Sequence, residues 1–339
     1  MSNWFKISGG EKDVAVSTRV RLARNLKQFP FVGRLTAQQS AEIYDKIWLA
    51  IQTAPDLAQQ FEQVNVSALP EPQRISLVER HLISPEFALG ENSRALISTD
   101  GGVSIMINEE DHLRIQVFGG GLCLEQCFEQ AQRLSWLLES KMEPAFDPKL
   151  GYLTTCPTNL GTGLRASVML HLPGLTRKGD IENAPRTAAK MGFAMRGVYG
   201  ENSQPYGHMH QLSNQITLGF DEKMLIGNLH GLVGEVIEKE RHAKQLILEE
   251  EYYNTLDLVS RAEGILKTCR LLPLEEGMRM LSFVWFGRAT GLYDKLDFDQ
   301  LAQLMTRIQP AGIIAEKGER LTEEQIQILR ADITRQSMA

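Results

Sequence analysis
The chain has 339 residues, enough for one large domain and a smaller one. Hydrophobic residues make up 43% and charged residues 23%, the balance of a globular chain with a sizeable core. A net charge of −6 argues against a general nucleic-acid coat or a basic membrane-surface protein, but leaves room for a local basic pocket.

Cys123, Cys127, Cys156 and Cys269 form no disulfide framework and no CxxC pair. A reducing, cytoplasmic setting is the expectation. The first thirteen residues hold no apolar stretch of signal-peptide length, and no run is long and apolar enough to span a bilayer.

Asp13–Asn25 reads DVAVSTRVRLARN, an alternation that predicts an extended segment. Arg19 and Arg21 then share one face and Val20 and Leu22 the other. Two guanidinium groups on one face repel unless an anion lies between them, and phosphate matches their planar forks. Arg24 follows in the same span. Thr36 caps a predicted helix to about Thr53, with Ile43, Ile47 and Ile51 at helical spacing. Arg74–Ser84 reads as a strand entering a turn at Ser84-Pro85, and its lone His81 fits a structural role by base rate. Ala95–Thr99 and Val103–Ile107, joined by Asp100-Gly101-Gly102, predict a hairpin. The second strand ends in Asn108-Glu109-Glu110-Asp111-His112-Leu113-Arg114, three acids in a row that want water or cations.

Leu122–Met142 predicts a long amphipathic helix in which Cys123 and Cys127 are core residues. Gly151–Leu172, GYLTTCPTNLGTGLRASVMLHL, follows. Its Cys-Pro step fixes local geometry, Gly161 and Gly163 allow close backbone approach, and Arg165 opens a strand through Leu172. The stretch reads as an anion site beside a thiol or as an ordinary strand–loop–strand with a solvated arginine. A helix over Asp180–Met191, a strand over Phe193–Glu201, a mobile polar loop from Glu201 through Gln211, and a last strand over Leu212–Leu218 complete this half. From Asp221 onward the pattern is helical, with helices near Ile237–Leu248, Leu274–Thr290 and Phe298–Ile308 and a tail in which Thr322 is a cap. The expected division is 13–240 and 241–339.

Arg19, Arg21, Arg114, Arg165 and Arg196 would together neutralise a triphosphate. No Walker A pattern and no kinase glycine-rich loop with a V-A-I-K strand is present, so a nucleotide enzyme of this sequence would use arginines as its phosphate clamp. Glu110 and Glu201 suit a cationic acceptor such as a guanidinium, which two carboxylates could hold in line and help deprotonate. Cys156, near arginines, could pair with it as a thiolate.

Four motifs in order, STRVRLARN at 17–25, NEEDHLR at 108–114, CPTNLGTGLRASV at 156–168 and RGVYGE at 196–201, resemble the catalytic domain of the phosphagen (guanidino) kinases. In detail they are most similar to the bacterial protein-arginine kinases of the McsB type. The resemblance covers roughly 13–240. It implies an α+β fold, a large mostly antiparallel sheet flanked by helices, with an all-helical C-terminal domain. It implies transfer of the ATP γ-phosphoryl group to protein arginine, with Mg²⁺ carried on the phosphates. The ATP site it implies is Ser17, Thr18, Arg19, Val20, Arg21, His81, Arg114, Arg165, Ala166, Ser167, Val168, Met169, Arg196, Gly197, Val198, Tyr199, Gly200 and Glu201. Glu110 is implied as the main acceptor carboxylate, Glu201 as the second, and Cys156 as the group lying against the guanidinium. The small N-terminal domain of the small-guanidine kinases is missing here, which would leave the acceptor pocket open to a protein side chain.

Implied partners are arginine-bearing protein substrates, a zinc-binding activator, a heat-shock repressor, the Clp protease machinery and a second copy of the chain, in a stress-response setting. One departure stands out. The family's C-terminal Arg-Asp-x-x-Arg-Ala motif corresponds to Ile326–Ala331, which keeps only Arg330-Ala331, and an isoleucine cannot bind a phosphoryl group. Phosphoarginine sensing there is not expected. The alternatives are a kinase for free arginine or another small guanidine, and a non-catalytic repressor-binding adaptor. The presence of every arginine, carboxylate and cysteine of the pattern speaks against the adaptor.

Overall fold
The computed structural model describes residues 7–197, 206–318 and 320–339. Among these, nine strands form one sheet: β1 (Ile7–Ser8), β2 (Ala15–Arg24), β3 (Phe61–Asn65), β4 (Arg94–Ser98), β5 (Val103–Ile107), β6 (Leu113–Gly120) and, past a short hairpin of β7 (Phe146–Asp147) and β8 (Gly151–Tyr152), β9 (Leu164–His171), β10 (Phe193–Gly197) and β11 (Met209–Asn214). The order is β10-β11-β9-β2-β6-β5-β4-β3, antiparallel throughout, with β1 added in parallel to β6. The helices are α1 (Ala37–Gln52), α2 (Pro55–Ala58), α3 (Glu71–Glu79), α4 (Pro85–Leu89), α5 (Leu124–Glu139), α6 (Pro173–Lys178), α7 (Ala184–Lys190), α8 (Glu222–Thr268), α9 (Leu274–Thr290), α10 (Phe298–Arg307), α11 (Pro310–Lys317) and α12 (Glu323–Met338). No helix among the described residues is long and apolar enough to cross a membrane.

The expected α+β architecture is present. Thr36 and Thr322 cap α1 and α12 as reciprocal capping boxes with Gln39 and Gln325. Two expectations need correction. Arg74–Ser84 is not a strand: α3 occupies Glu71–Glu79, started by Pro70 and by Pro72 in its first turn, where a missing N–H costs nothing. The last strand is Met209–Asn214, not Leu212–Leu218. It ends because Asn214 turns its side chain into the ladder, accepting from the Ala166 N–H at 2.8 Å, while Thr217 leaves the sheet to donate to Leu160 O at 2.7 Å. Residue 240 falls inside α8, whose backbone breaks helical geometry at Glu251.

The sheet's alternation decides what packs where. Val20, Leu22, Ile115, Val117, Ala166 and Val168 point to one face, into a core completed by α1, α5 and the first part of α8. The other face is covered only at its ends. Phe118, Met106, Ala95 and Ile97 pack with Leu82, Ile83 and Phe87 at one side. Met169 and Met209 pack with Trp285 and Leu281 of the helical part at the other. Between these layers the middle of β2, β6 and β9 is left open, and that valley carries the arginines.

α8 is pinned to α6 and to the segment leading into β2. Glu240 is fully buried; its oxygens accept from the Gly174 and Leu175 N–H groups, both at 2.9 Å, at the start of α6. Lys244 lies 3.6 Å from Glu240 and donates to Asp13 O at 3.0 Å, while Arg241 donates to both Asp13 carboxylate oxygens at 2.7 and 2.8 Å. Removing one partner of a buried pair strands the other charge. Glu240→Ala should therefore lower the unfolding free energy by roughly 3 kcal/mol, read from the urea midpoint.

Histidines at the same junction make the fold acid-sensitive. Burial, with Lys244 and neighbouring histidines adding to it, holds His171 well below its ordinary value; its Nε2 lies 2.8 Å from Ser282 Oγ in α9. Burial and His208 push His210 down to about 4. Both stay neutral in the folded chain while unfolded histidines begin to protonate near pH 6.5, so stability is present above that pH and is lost as pH falls toward 4. Thermal melts between pH 7.5 and 4.5 should show a falling midpoint, and His171→Gln should flatten part of that slope.

Candidate functional site
Strand register builds the site. Arg21 of β2 stands opposite Arg165 of β9 and Gln116 of β6; Arg19 stands opposite Ser167 and Phe118; Ser17 stands opposite Met169. Gln211 of β11 faces Met169 and Arg196 of β10 faces Gln211, so the set continues across five strands on one face. Arg114, two residues before Gln116, joins it. The open valley is a cleft of about 490 Å³ lined by Arg19, Arg21, His81, Arg114 and Gln116. A smaller lobe of about 130 Å³, lined by Ser17, Phe118, Ser167, Met169 and Gln211, shares Arg19 and His81 with it.

The electrostatics are those of crowded like charges. Burial, then Arg114 and Arg165, push the Arg19 guanidinium down to about 10; burial, then Arg19, Arg114 and Arg165, hold Arg21 well below its ordinary value. The Nε groups of Arg19, Arg21 and Arg165 are buried without a hydrogen-bond partner. Unpaired buried donors are costly, and three in one patch describe a surface made for a polyanion. These residues fit the phosphate chain of a nucleotide. Against them stands Glu109. Burial works to raise its carboxyl, but Arg114 at 2.6 Å and the Ser84 hydroxyl at 2.7 Å hold it below the usual range. His81 lines the cleft with much of its surface open to solvent; desolvation along the cleft and then the Arg19 charge push it down to about 4.

The three consecutive acids diverge. Asn108, at φ +56°, turns the chain out of β5. Glu109 goes to the arginines. Asp111 is buried, accepting from Asn25 Nδ2 at 2.6 Å and from the Thr155 N–H at 2.7 Å. Glu110 is exposed, accepting from Asn159 Nδ2 at 3.3 Å. Asp111 and Glu110 thus tie both ends of the Cys156 loop, where Cys156 Sγ lies 3.0 Å from Thr158 Oγ1. Arg165 closes the arrangement. Burial, Arg196 and Arg114 lower its pKa, and the charges of Cys156 and Glu110 oppose them.

Not every expected residue reaches the cleft with its side chain. Val20, Ala166 and Val168 are core residues of the opposite face, and Thr18 there donates to Gly121 O at 2.7 Å. Gly197 ends β10; Val198, Tyr199, Gly200 and Glu201, with the start of the polar loop, lie outside the described residues. Gly161 and Gly163, at φ +106° and +62°, do allow close approach, but to the chain itself: a Cβ would meet Thr217 O and Ala23 O, each at 2.5 Å. Arg24 is structural, its guanidinium 3.4 Å over the Tyr152 ring and 3.0 Å from Glu139. The sequence reading missed Glu109 and Ser84 as the counterweight to the arginines, and Gln116 and Gln211 as cleft walls. Gln116 and Gln211 were findable, since polar residues inside apolar alternation mark a face that is not core.

Comparison with known proteins accords with this geometry. Residues 42–243 match ATP:guanido phosphotransferase, C-terminal catalytic domain, and residues 253–339 match the protein-arginine kinase McsB C-terminal domain. Protein-arginine kinase of Halothermothrix orenii is 42% identical over 98% of this chain and 95% of its own, and that of Clostridium novyi is 39% identical over 100% and 98%. Among solved structures, lombricine kinase superposes with a TM-score of 0.61 at 24% identity, covering 72% of this chain and 69% of its own, a likeness of fold. The duplicated taurocyamine kinase from Schistosoma mansoni, with transition-state analog components bound, gives 0.61 at 25% identity over 78% of this chain and 40% of its own. An arginine-lined cleft meeting a carboxylate-and-cysteine loop on this sheet, together with matches along the whole length, establishes that the chain belongs to the ATP:guanido phosphotransferase family, on its protein-arginine kinase branch.

Proposed function
We propose that the chain transfers the γ-phosphoryl group of ATP to arginine side chains of proteins, giving phosphoarginine. One observation carries this reading: Arg165 stands opposite Arg21 on the arginine face, while the loop that leads into its strand carries Cys156 and is tied by Asn159 to Glu110 at 3.3 Å, so the proposed donor and acceptor sites adjoin. Arg19, Arg21, Arg114 and Arg165 hold the phosphates and take up negative charge as the bond to the ADP oxygen breaks. Ser17, Ser167, Met169 and His81 line the lobe for the nucleoside end. Glu110 orients the incoming guanidinium and takes the proton that the attacking nitrogen loses as the P–N bond forms. Cys156 lies against the guanidinium, and Glu201 is the second carboxylate of the proposal.

Mg²⁺ belongs to the proposal as an ion carried on the ATP phosphates and held largely through waters. When bound it would neutralise phosphate charge. We assign catalysis to residues 13–240 and a helical part to 241–339. The setting belongs to the same proposal: phosphoarginine as a degradation mark in the stress response, with a zinc-binding activator, a heat-shock repressor, the Clp machinery and a homodimer through the helical part.

Three outcomes test it. With ATP-Mg²⁺ and either free arginine or an unfolded arginine-rich protein, acid-labile phosphate should appear on the protein; label confined to free arginine would sink the reading. Glu110→Gln should lower kcat about 10²–10⁴-fold while ATP affinity stays near that of the parent, since the group is an exposed base and not part of the clamp. Arg21→Met should weaken ATP binding by roughly 1.5–3 kcal/mol, about 10- to 150-fold, yet leave the nucleotide-free melting temperature unchanged or higher, because it removes a buried like charge.

A further inference from the structure
We propose that Glu79 is a positioning residue of the nucleotide site, clamping the end of α3 and the His81 that follows it to the first turn of α11. The proposal rests on the reading of the arginine-lined cleft as the ATP site, and goes beyond it by making the C-terminal helical part a wall of that site.

The geometry is specific. Glu79 accepts from the Ala311 N–H through Oε1 and from the Gly312 N–H through Oε2, each at 3.0 Å. These are two of the N–H groups that the start of a helix leaves without intrahelical partners, and a carboxylate there is favoured by the helix dipole. Glu79 is also the last residue of α3, and α3 ends in a tightly closed way. The His81 N–H donates to Val78 O at 2.7 Å and the Leu82 N–H to Leu77 O at 2.9 Å, the paired bonds of a Schellman ending. The left-handed residue that this ending requires is His81, at φ +58°, where glycine is usual. A non-glycine residue held in that region needs surroundings that over-determine it, and such positions gather at functional sites. The ring projected by this turn lines both lobes of the cleft.

The clamp is itself backed from behind. Gln309, next to the first turn of α11, lines the same cleft as Glu79 and His81, and its amide donates to Met305 O at 3.0 Å. Arg330 of α12, almost fully buried, donates to Ile308 O at 2.7 Å and to Leu272 O at 2.8 Å, fixing the turn that leads into α11. A path of direct contacts therefore runs from α12 through 308–312 to Glu79, and from there along two residues of backbone to His81 and Arg19. Loosening Glu79 frees the end of α3 to move, and the nucleotide side of the site should feel this while the acceptor side, anchored through Asp111 and Asn159, should not.

The test uses the full chain with ATP-Mg²⁺ and an unfolded arginine-rich protein as acceptor. Glu79→Ala should raise the KM for ATP about tenfold, the scale on which small misplacements act, with kcat at saturating ATP and the acceptor KM near parental values. Glu79→Gln keeps one accepting oxygen and should fall between, at about threefold; it also carries the measurement if the alanine variant fails to fold. A lowered melting temperature with an unchanged ATP KM, or equal rises in the ATP and acceptor KM, would overturn the inference. Arg21→Met runs alongside. A shift there without one in the Glu79 variants defeats only this inference, whereas no shift in any of them defeats the reading of the cleft.

Discussion
The structure turns on holding like charges together. Arg19, Arg21, Arg114 and Arg165 stand on one face of three adjoining strands, with burial and mutual repulsion lowering the pKa of Arg19, Arg21 and Arg165. A flexible loop would let such groups drift apart. A sheet cannot, because ladder hydrogen bonds fix neighbouring strands about 4.8 Å apart and the opposite face is locked into the main core. The cost of assembling the charges is met in folding by apolar packing around Val20, Leu22, Val117 and Val168, so that none remains to be met when charge shifts during phosphoryl transfer. The site is preorganised in this sense, and its unpartnered guanidinium N–H groups are the visible strain of that arrangement.

The acid triplet solves the complementary problem of bringing a cation beside a cationic cleft. If Glu109, Glu110 and Asp111 all faced one way they would raise one another's pKa. The left-handed turn at Asn108 splays them instead. Glu109 moderates the arginines, Glu110 faces solvent where a guanidinium can reach it, and Asp111 is consumed in fixing the loop that carries Cys156. In the proposed mechanism adjacent positions in sequence thus serve donor, acceptor and scaffold, and a change at one would be felt by the others through a shared backbone.

Much of this was legible in the sequence. The alternation of β2 placed Arg19 and Arg21 on a face opposite Val20 and Leu22, because period-two patterning is local and survives into the fold. The same alternation turns Thr18, Ala166 and Val168, which lie inside the family motifs, away from the cleft and into the buried face. Arg24 showed no role in the sequence: at the end of β2 it sits on neither the cleft nor the surface, but stacks on Tyr152 from a distant hairpin. Its role depends on a contact 128 positions away in sequence, which no local pattern carries. α3 was misread because Ile75, Leu77 and Val78 are only half-buried or exposed, so its apolar positions trace no clean helical stripe. Glu240 and Lys244 look like solvated charges on a long helix, and only tertiary packing shows them to be the buried clamp between α8, α6 and Asp13 ahead of β2.

The departure at Ile326–Ala331 also gains a physical meaning. Ile326 is buried, and Arg330 has turned its Nε and Nη1 donors to the carbonyls of Ile308 and Leu272. A guanidinium engaged in this way inside the protein braces the chain. It cannot also present those donors to an outside anion without releasing the turn it holds. Because that turn leads directly into α11, whose first N–H groups meet Glu79, the arginine that survives from the motif is best understood by what it keeps in place. Hydrogen bonds at Ile308, Ala311 and Gly312, with the short backbone between them, then tie α12 and α11 to the end of α3, and Gln309 adds a late residue of the chain to the lining of the arginine cleft.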